Sequence, residues 1–420
     1  MSSCKSSSDT GKHYDWFTVL NVQITIVRVG NPTIEVNLPT ATWQRAPLRN
    51  GDFVMIITLT SLFTIAGMAA ANVHCAPVEK PAVSFAFFGC NRIDAKDVER
   101  TYRENPSTAN VPQLSANLSH IAALKPDYAF LGGDIVMGYA DDNGQVLRSE
   151  LTAWTKLVSG LPKAVETQLI AIAGNHELNR KKADQKLPNP VTVNIWNDFV
   201  KTSNMIPAKI HRGPDMQHGF GDDIAADESL LSYSFDRDYV HFVVLNTDTR
   251  VKTLDPVTGQ SIIGAIPSGW LENDLQRAQA NKRIKSVVIL GHRNLINAES
   301  VEGDAPIEPM SAKRLLGAIA RYSKVQAYVC AHIHAMEVTT FNDNPAVQAL
   351  FGNGGSKLEA NWKPQSGRTF GFGMFQITPD GTLTITPYTR PEPRHYMAET
   401  IVDVPAAVAG KPFVVQARKK

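Results

Sequence analysis

The sequence is poor in features that would announce a redox centre or a nucleic-acid partner. It holds 4 cysteines in 420 residues, none in a CxxC pair, which excludes a zinc ribbon and a thioredoxin-type motif. A formal net charge of +2, with no Lys/Arg cluster before Arg418-Lys419-Lys420, excludes a dedicated electrostatic grip on nucleic acid, and no specific nucleic-acid-binding surface is expected. There is no GxSxG elbow, which removes the main support for serine-hydrolase chemistry. Internal repeats and low-complexity blocks are also missing. What remains, 43% hydrophobic and 20% charged, suffices for a sizeable core in one large domain or two moderate ones.

Charge is absent from FVMIITLTSLFTIAGMAAA at 53–71. With Arg49 shortly before it and small residues at its end, this segment reads as a signal peptide, or as an uncleaved signal anchor, since it is long enough to span a bilayer. Either way the chain is expected to be exported, periplasmic or secreted, or membrane-anchored if the segment stays. Signal peptides start close to the initiator, so residues 1–52 read as a mis-assigned start or a poorly ordered extension. Cys75 lacks a lipoprotein box because His74 precedes it. Residues 72–82 form a linker, 83–390 the main domain and 391–420 a C-terminal tail.

In the main domain, short apolar runs suited to buried strands stand at 83–88, 127–131, 168–173, 286–290 and 325–330. Helical spacing of apolar residues lies between them at 111–125, 268–282 and 311–322, the second with Ser268 as cap and a Glu four residues on. Two alternating pairs, 230–247 and 369–388, read as antiparallel hairpins. Residues 178–229, rich in Pro, Gly, Asp and Lys, read as a long insertion over one end of the sheets. The expected fold is α/β: two mixed sheets packed face to face and flanked by helices.

Polar residues follow these runs in a consistent way. LGGD ends one strand in Asp134, IAGNHE ends another in Asn175 and His176, LGHRN supplies His292, and VCAHIH supplies His332 and His334. An isolated HxH is more often a pair of hydrogen-bonded strand-edge histidines than a ligand pair; if the strand continues, the two point to the same side. Ligands of α/β sheets gather at the carboxyl ends of strands, so scattered side chains of this kind can converge on a metal.

Four ordered blocks, GD at 133–134, GNHE at 174–177, GH at 291–292 and HIH at 332–334, together with YSFD before YVHFVVLN and the NGG at 353–355, resemble the calcineurin-like metallophosphoesterase superfamily over residues 83–388. The resemblance implies one or two divalent ions (Zn, Mn or Fe), with Asp134 bridging, Asn175, His292 and His332 completing one ion and His334 serving the other. It implies hydrolysis of a phosphorylated small molecule, as a monoester or diester, by attack of a metal-bound hydroxide. His176 would stabilise the transition state or protonate the leaving oxygen. Glu177 reads equally well as support for the ligands or as structural.

The family's first block, Asp-x-His or an Asp after Gly, is replaced by FFGCNRID. Cys90 stands where the Asp is expected and Arg92 where the His is expected. Arg92 cannot ligate a cation but suits a phosphate, which Asn91 could also contact. For Cys90 the readings are a thiolate ligand, a neutral thiol leaving a one-metal site, a disulfide with Cys330, or a plain buried cysteine. A degenerate member that binds metal or a phosphorylated ligand without turnover is the alternative to an enzyme. Tyr139 follows Asp134 by five residues and takes no ligand role. His120 and His241 read as structural; His211 and His218 read as surface loop residues.

Overall fold

The structure, a computed structural model, describes residues 82–94, 111–140, 142–161, 166–182, 185–296, 306–342, 344–391 and 404–417, with the backbone of two short strands nearer the N-terminus. The chain divides into two units, Met1–Ala76 and Pro77–Lys420. In the first, β1 (Thr42–Gln44) pairs antiparallel with β2 (Ile56–Thr58). The rest of the apolar stretch at 53–71 lies outside the described residues. No helix among the described residues is long and apolar enough to cross a membrane.

The second unit contains, in order, β3 (Val83–Phe88), α1 (Val111–Leu124), β4 (Tyr128–Gly132), α2 (Gln145–Ser159), β5 (Gln168–Ile172), α3 (Asn175–Leu178), β6 (Asn179–Lys182), β7 (Gln185–Pro188) and α4 (Thr192–Thr202). There follow β8 (His211–Arg212), β9 (Tyr233–Arg237), β10 (Val240–Val244), α5 (Ser268–Ala280), β11 (Ser286–Leu290), α6 (Pro309–Arg321), β12 (Val325–Cys330), β13 (Met336–Phe341) and β14 (Asn344–Phe351). The chain closes with β15 (Phe370–Ile377), β16 (Leu383–Arg390), β17 (Val408–Ala409) and β18 (Phe413–Val415). One seven-stranded sheet runs β13-β14-β12-β11-β10-β9-β8, the other β17-β16-β15-β3-β4-β5 with β18 also on β16.

Strand periodicity sorts the core into layers. On β3, Phe85 and Phe87 point between the sheets while Ala86 and Phe88 point to the outer layer that includes Leu114, Leu151 and Trp196. On β11, Val288 and Leu290 face inward, and Val287 and Ile289 face outward toward Leu275 and Leu315. A strand apolar on both faces is buried on both, so the arrangement is helix, sheet, sheet, helix, as expected. Between the sheets Phe85 stacks on Phe375 at 4.5 Å and meets Phe130 and Phe242 edge-on. Truncating such a residue to Ala costs about 3–5 kcal/mol.

Four expectations change. The 178–229 segment is more than an insertion: the amphipathic α4 sets Ile195, Trp196, Phe199 and Val200 into the outer core. The expected C-terminal tail contains two strands that extend the sheet from β16, and Val415 is buried between the sheets. Ser268 does not cap α5, whose N-cap is Pro267 with no side-chain bond, and Glu272 instead pairs with Arg321 and Tyr322. Finally, β12 ends at Cys330 and His332 adopts φ 69, so His332 and His334 lie in a turn and not on one strand face.

Candidate metal centre

β3, β4 and β5 are parallel neighbours, as are β10, β11 and β12. Parallel strands release their carboxyl ends at one edge, and the polar blocks follow those ends. After β4, Gly133 has φ +86 and Asp134 φ 52. A Cβ on Gly133 would lie 2.4 Å from His292 Nδ1, and one on Gly174 2.4 Å from Asp134 Oδ1. Both glycines let the loops close on the carboxylate. Left-handed backbone at a non-glycine residue costs roughly 1–2 kcal/mol, and Cys90, Arg92, Asp134, Tyr139 and His332 all adopt it around this one site. Strain of this kind persists where the surroundings over-determine it.

Glu177 supplies that determination at Asp134. Its Oε2 accepts from Asp134 N at 3.0 Å and Gly174 N at 2.7 Å, and its Oε1 accepts from Val136 N at 3.1 Å. It therefore ties the loop after β4 to the loop after β5. Burial and then the Asp134 charge push its carboxyl up to about 7, while three donors favour its ionised form.

The lone pairs converge around His292. Its Nδ1–H donates to Gly132 O at 2.7 Å, so in the neutral ring Nε2 carries a lone pair. Asn175 Oδ1 is 2.8 Å from Nε2 and Asp134 Oδ1 3.1 Å. A proton on Nε2 could serve one of these oxygens; a cation among them serves all three atoms. The donor set, one carboxylate, one amide oxygen and imidazole nitrogen, suits Zn, Mn or Fe. The residues present therefore fit one divalent ion.

His332 Nδ1 is 3.1 Å from the same His292 nitrogen, but its Nε2 is 3.2 Å from Arg293 Nη1. A guanidinium only donates, so Nε2 accepts and Nδ1 carries the proton in this arrangement. His332 can ligate through Nδ1 only in its other tautomer, with Arg293 Nη1 moved away. Arg293 is itself held by Asp248, Nε to Oδ2 at 2.9 Å and Nη2 to Oδ1 at 2.8 Å, with both side chains 2% exposed.

The other oxygen of Asp134 meets different partners. Arg92 donates to Oδ2 from Nη2 at 3.1 Å and Nε at 3.3 Å. His176 Nε2 is 3.7 Å from that oxygen, while its Nδ1 donates to Met137 O. Burial would raise the Asp134 carboxyl, but His176, His292 and Arg92 together hold it well below the usual range. Burial and then Arg92 lower His176 to about 3, leaving a lone pair on Nε2 at neutral pH. His334 donates from Nδ1 to Lys357 O at 2.8 Å, and its buried Nε2 has no hydrogen-bond partner.

Cys90 and Cys330 are both buried free thiols, so the disulfide reading is set aside. The Cys90 sulfur, an Asp134 oxygen and a His292 nitrogen lie within 4.8 Å of one another. Burial and then Asp134 push the thiol well up. Asn91 is fully buried; its Nδ2 donates to Gly354 O at 2.8 Å, and its Oδ1 has no hydrogen-bond partner.

The structure thus gathers Asp134, Asn175, His176, His292, His332, Cys90 and Arg92, and places His334 on the Lys357 carbonyl. Three further residues stand at the site. Tyr139 accepts from Asn175 Nδ2, and its ring lies 4.0 Å from that of His176. Arg293 and Asp248 brace His332. Nothing in LGHRN itself gives Arg293 a role, and Asp248 follows β10 just as the other site residues follow their strands. His241 bridges Asp236 and Asp274 away from this site, while His211 and His218 are exposed.

A family model described as calcineurin-like phosphoesterase matches residues 106–336, more than half of the chain. The match starts after Cys90 and Arg92 and ends just beyond His334. No curated protein matches the sequence. Among solved structures, a purple acid phosphatase from yellow lupin (Lupinus luteus) is similar at 15% identity and a TM-score of 0.50, covering 75% of this chain. This chain spans about half of that phosphatase, 52%. A dimetal phosphatase from Danio rerio is similar at 12% identity and a TM-score of 0.47, covering 81% of this chain and 100% of its own. At 15% identity the likeness to the lupin phosphatase speaks to the fold alone.

Proposed function

This chain belongs to the calcineurin-like phosphoesterase family, and on that premise we propose that it hydrolyses a phosphomonoester or phosphodiester at a divalent metal centre formed by Asp134, Asn175 and His292, which His332 joins when Arg293 releases its Nε2. The observation that carries the proposal is the crowding of Asn175 Oδ1 and Asp134 Oδ1 on His292 Nε2, at 2.8 and 3.1 Å. A cation bound there supplies Lewis acidity toward a phosphoryl oxygen and lowers the pKa of water. The remaining work belongs to the protein. Glu177 fixes the two loops, and Gly132 O fixes the His292 tautomer. The Met137 carbonyl holds a proton on His176 Nδ1, so that Nε2 can accept a proton and return it to a leaving oxygen. The apolar segment at 53–71 supports export or membrane anchoring as part of the same proposal, and the mass of the mature chain tests it.

A second reading, binding without turnover, is favoured by one specific observation: Arg92 already engages Asp134 Oδ2. The two separate on an assay of the full chain with Mn or Zn and an aryl phosphate or bis-aryl phosphodiester. Turnover is expected, falling about 10²- to 10⁴-fold in His176→Ala and to background in Asp134→Ala. Metal and phosphate binding without hydrolysis across the panel supports the second reading. Activity that survives both substitutions contradicts the site.

A further inference from the structure

We propose that Arg92 stands in for a second metal ion, so that the site is built for a single divalent ion beside a fixed guanidinium. The inference rests on the metal centre proposed above and concerns the opposite side of Asp134.

The two carboxylate oxygens are divided. Oδ1 faces His292 and the His176 backbone N–H, whereas Oδ2 receives two N–H groups of one guanidinium at 3.1 and 3.3 Å. A metal on Oδ2 would sit about 2.0–2.2 Å from it, in the space those N–H groups fill. Arg92 cannot yield by deprotonation, because guanidinium stays charged, and it has no lone pair to offer a metal.

Nor does its backbone swing freely. Cys90 N donates to Gly133 O at 2.9 Å, Arg92 N to Asp134 O at 2.8 Å and Ile93 N to Ile135 O at 3.0 Å. The segment after β3 is laced along the segment after β4, and Arg92 holds φ 52 within that lacing. The guanidinium is therefore delivered to Oδ2 by the fold.

His334 shows what the guanidinium leaves unfilled on this side. With Nδ1 donating to Lys357 O, its buried Nε2 holds an unpartnered lone pair. A second ion would retain Asp134 Oδ2, His334 Nε2 and the Cys90 sulfur, but the sulfur accepts a hydrogen bond from His332 N–H. At position 92 the ion would find a positive charge. These residues do not fit a second ion, and a guanidinium supplies a permanent positive charge that needs no metal supply.

The test counts metal and does not depend on turnover. The full chain is equilibrated with Mn(II), freed of excess, and read by elemental analysis and electron paramagnetic resonance. One Mn per chain with an uncoupled signal is expected. The double variant Cys90→Asp, Arg92→His, which writes Asp-x-His into the first block, is expected to bind two with an exchange-coupled signal. Two coupled ions in the unaltered protein, or one ion in a folded double variant, overturns the inference while leaving the metal centre standing. No bound ion in the unaltered protein overturns the metal centre itself. Should the double variant not fold, Arg92→His alone is expected to take up a second ion at higher Mn(II), and a count fixed at one contradicts the inference.

Discussion

On the His292 side of Asp134, a carboxylate oxygen and an amide oxygen lie 3.1 and 2.8 Å from one imidazole nitrogen, three atoms that can each give a lone pair to a cation. On the Arg92 side, a guanidinium has already satisfied the second carboxylate oxygen, leaving His334 Nε2 buried without a partner. Chemically similar blocks, each delivered by a strand end, thus produce opposite electrostatics a few ångströms apart. What matters is whether the last member of a ligand set can give up a lone pair. Imidazole at 292 can, and guanidinium at 92 cannot.

The two sides separate most clearly when one imidazole is truncated on each. His292→Ala is expected to lower Mn(II) or Zn(II) affinity by more than the about 10- to 100-fold associated with residues that only support a ligand, and His334→Ala to change it little. Equal losses by calorimetry would show that the two sides are equivalent.

The His292 side is braced by the buried Arg293–Asp248 pair. Arg293→Leu leaves Asp248 buried without its charge partner, a loss of about 3–5 kcal/mol of stability by denaturant titration. Adding Asp248→Leu is expected to recover part of it, and a loss within 1 kcal/mol would remove the brace from the account.

Before either side is titrated, a pH effect from elsewhere must be subtracted. Two aspartates around buried His241 outweigh the opposing effect of burial and raise it from 6.5 to about 9. Its contribution, of order 3 kcal/mol, is full below about pH 6.5 and lost as pH rises through about 9. The stability gap between wild type and His241→Gln should therefore be wide near pH 6 and narrow near pH 10. A gap independent of pH contradicts the assignment.

The smallest expected effect sharpens the role of Glu177. Glu177→Gln keeps its size but turns an amide N–H toward backbone N–H groups, and metal affinity should fall about 10- to 100-fold with the fold intact. Unchanged affinity would reduce Glu177 to packing.

The legible part of the molecule is the part with strict periodicity. Strands β3, β4, β5, β11 and β12 read as continuous apolar runs because both faces are buried, and the residues after them could be marked as one site. β13 and β14 were missed, although MEVTTF and NPAVQALF alternate in part; Pro345 and exposed polar residues blur the signal. α4 was missed because turn-forming residues surround its apolar face. The pairing of residues within the site was not legible. That Arg92 turns onto Asp134, that Arg293 meets His332, and that Tyr139 lies on His176 all depend on left-handed backbone at loop residues, which composition does not announce.

Anomalous scattering from crystals of the chain grown with Zn(II) or Mn(II) locates the ion directly. One peak is expected, bounded by Asp134 Oδ1, Asn175 Oδ1 and His292 Nε2, with Arg92 still on Asp134 Oδ2. No peak among those three atoms at saturating metal, or a strong peak between Asp134 Oδ2 and His334 Nε2, would contradict it.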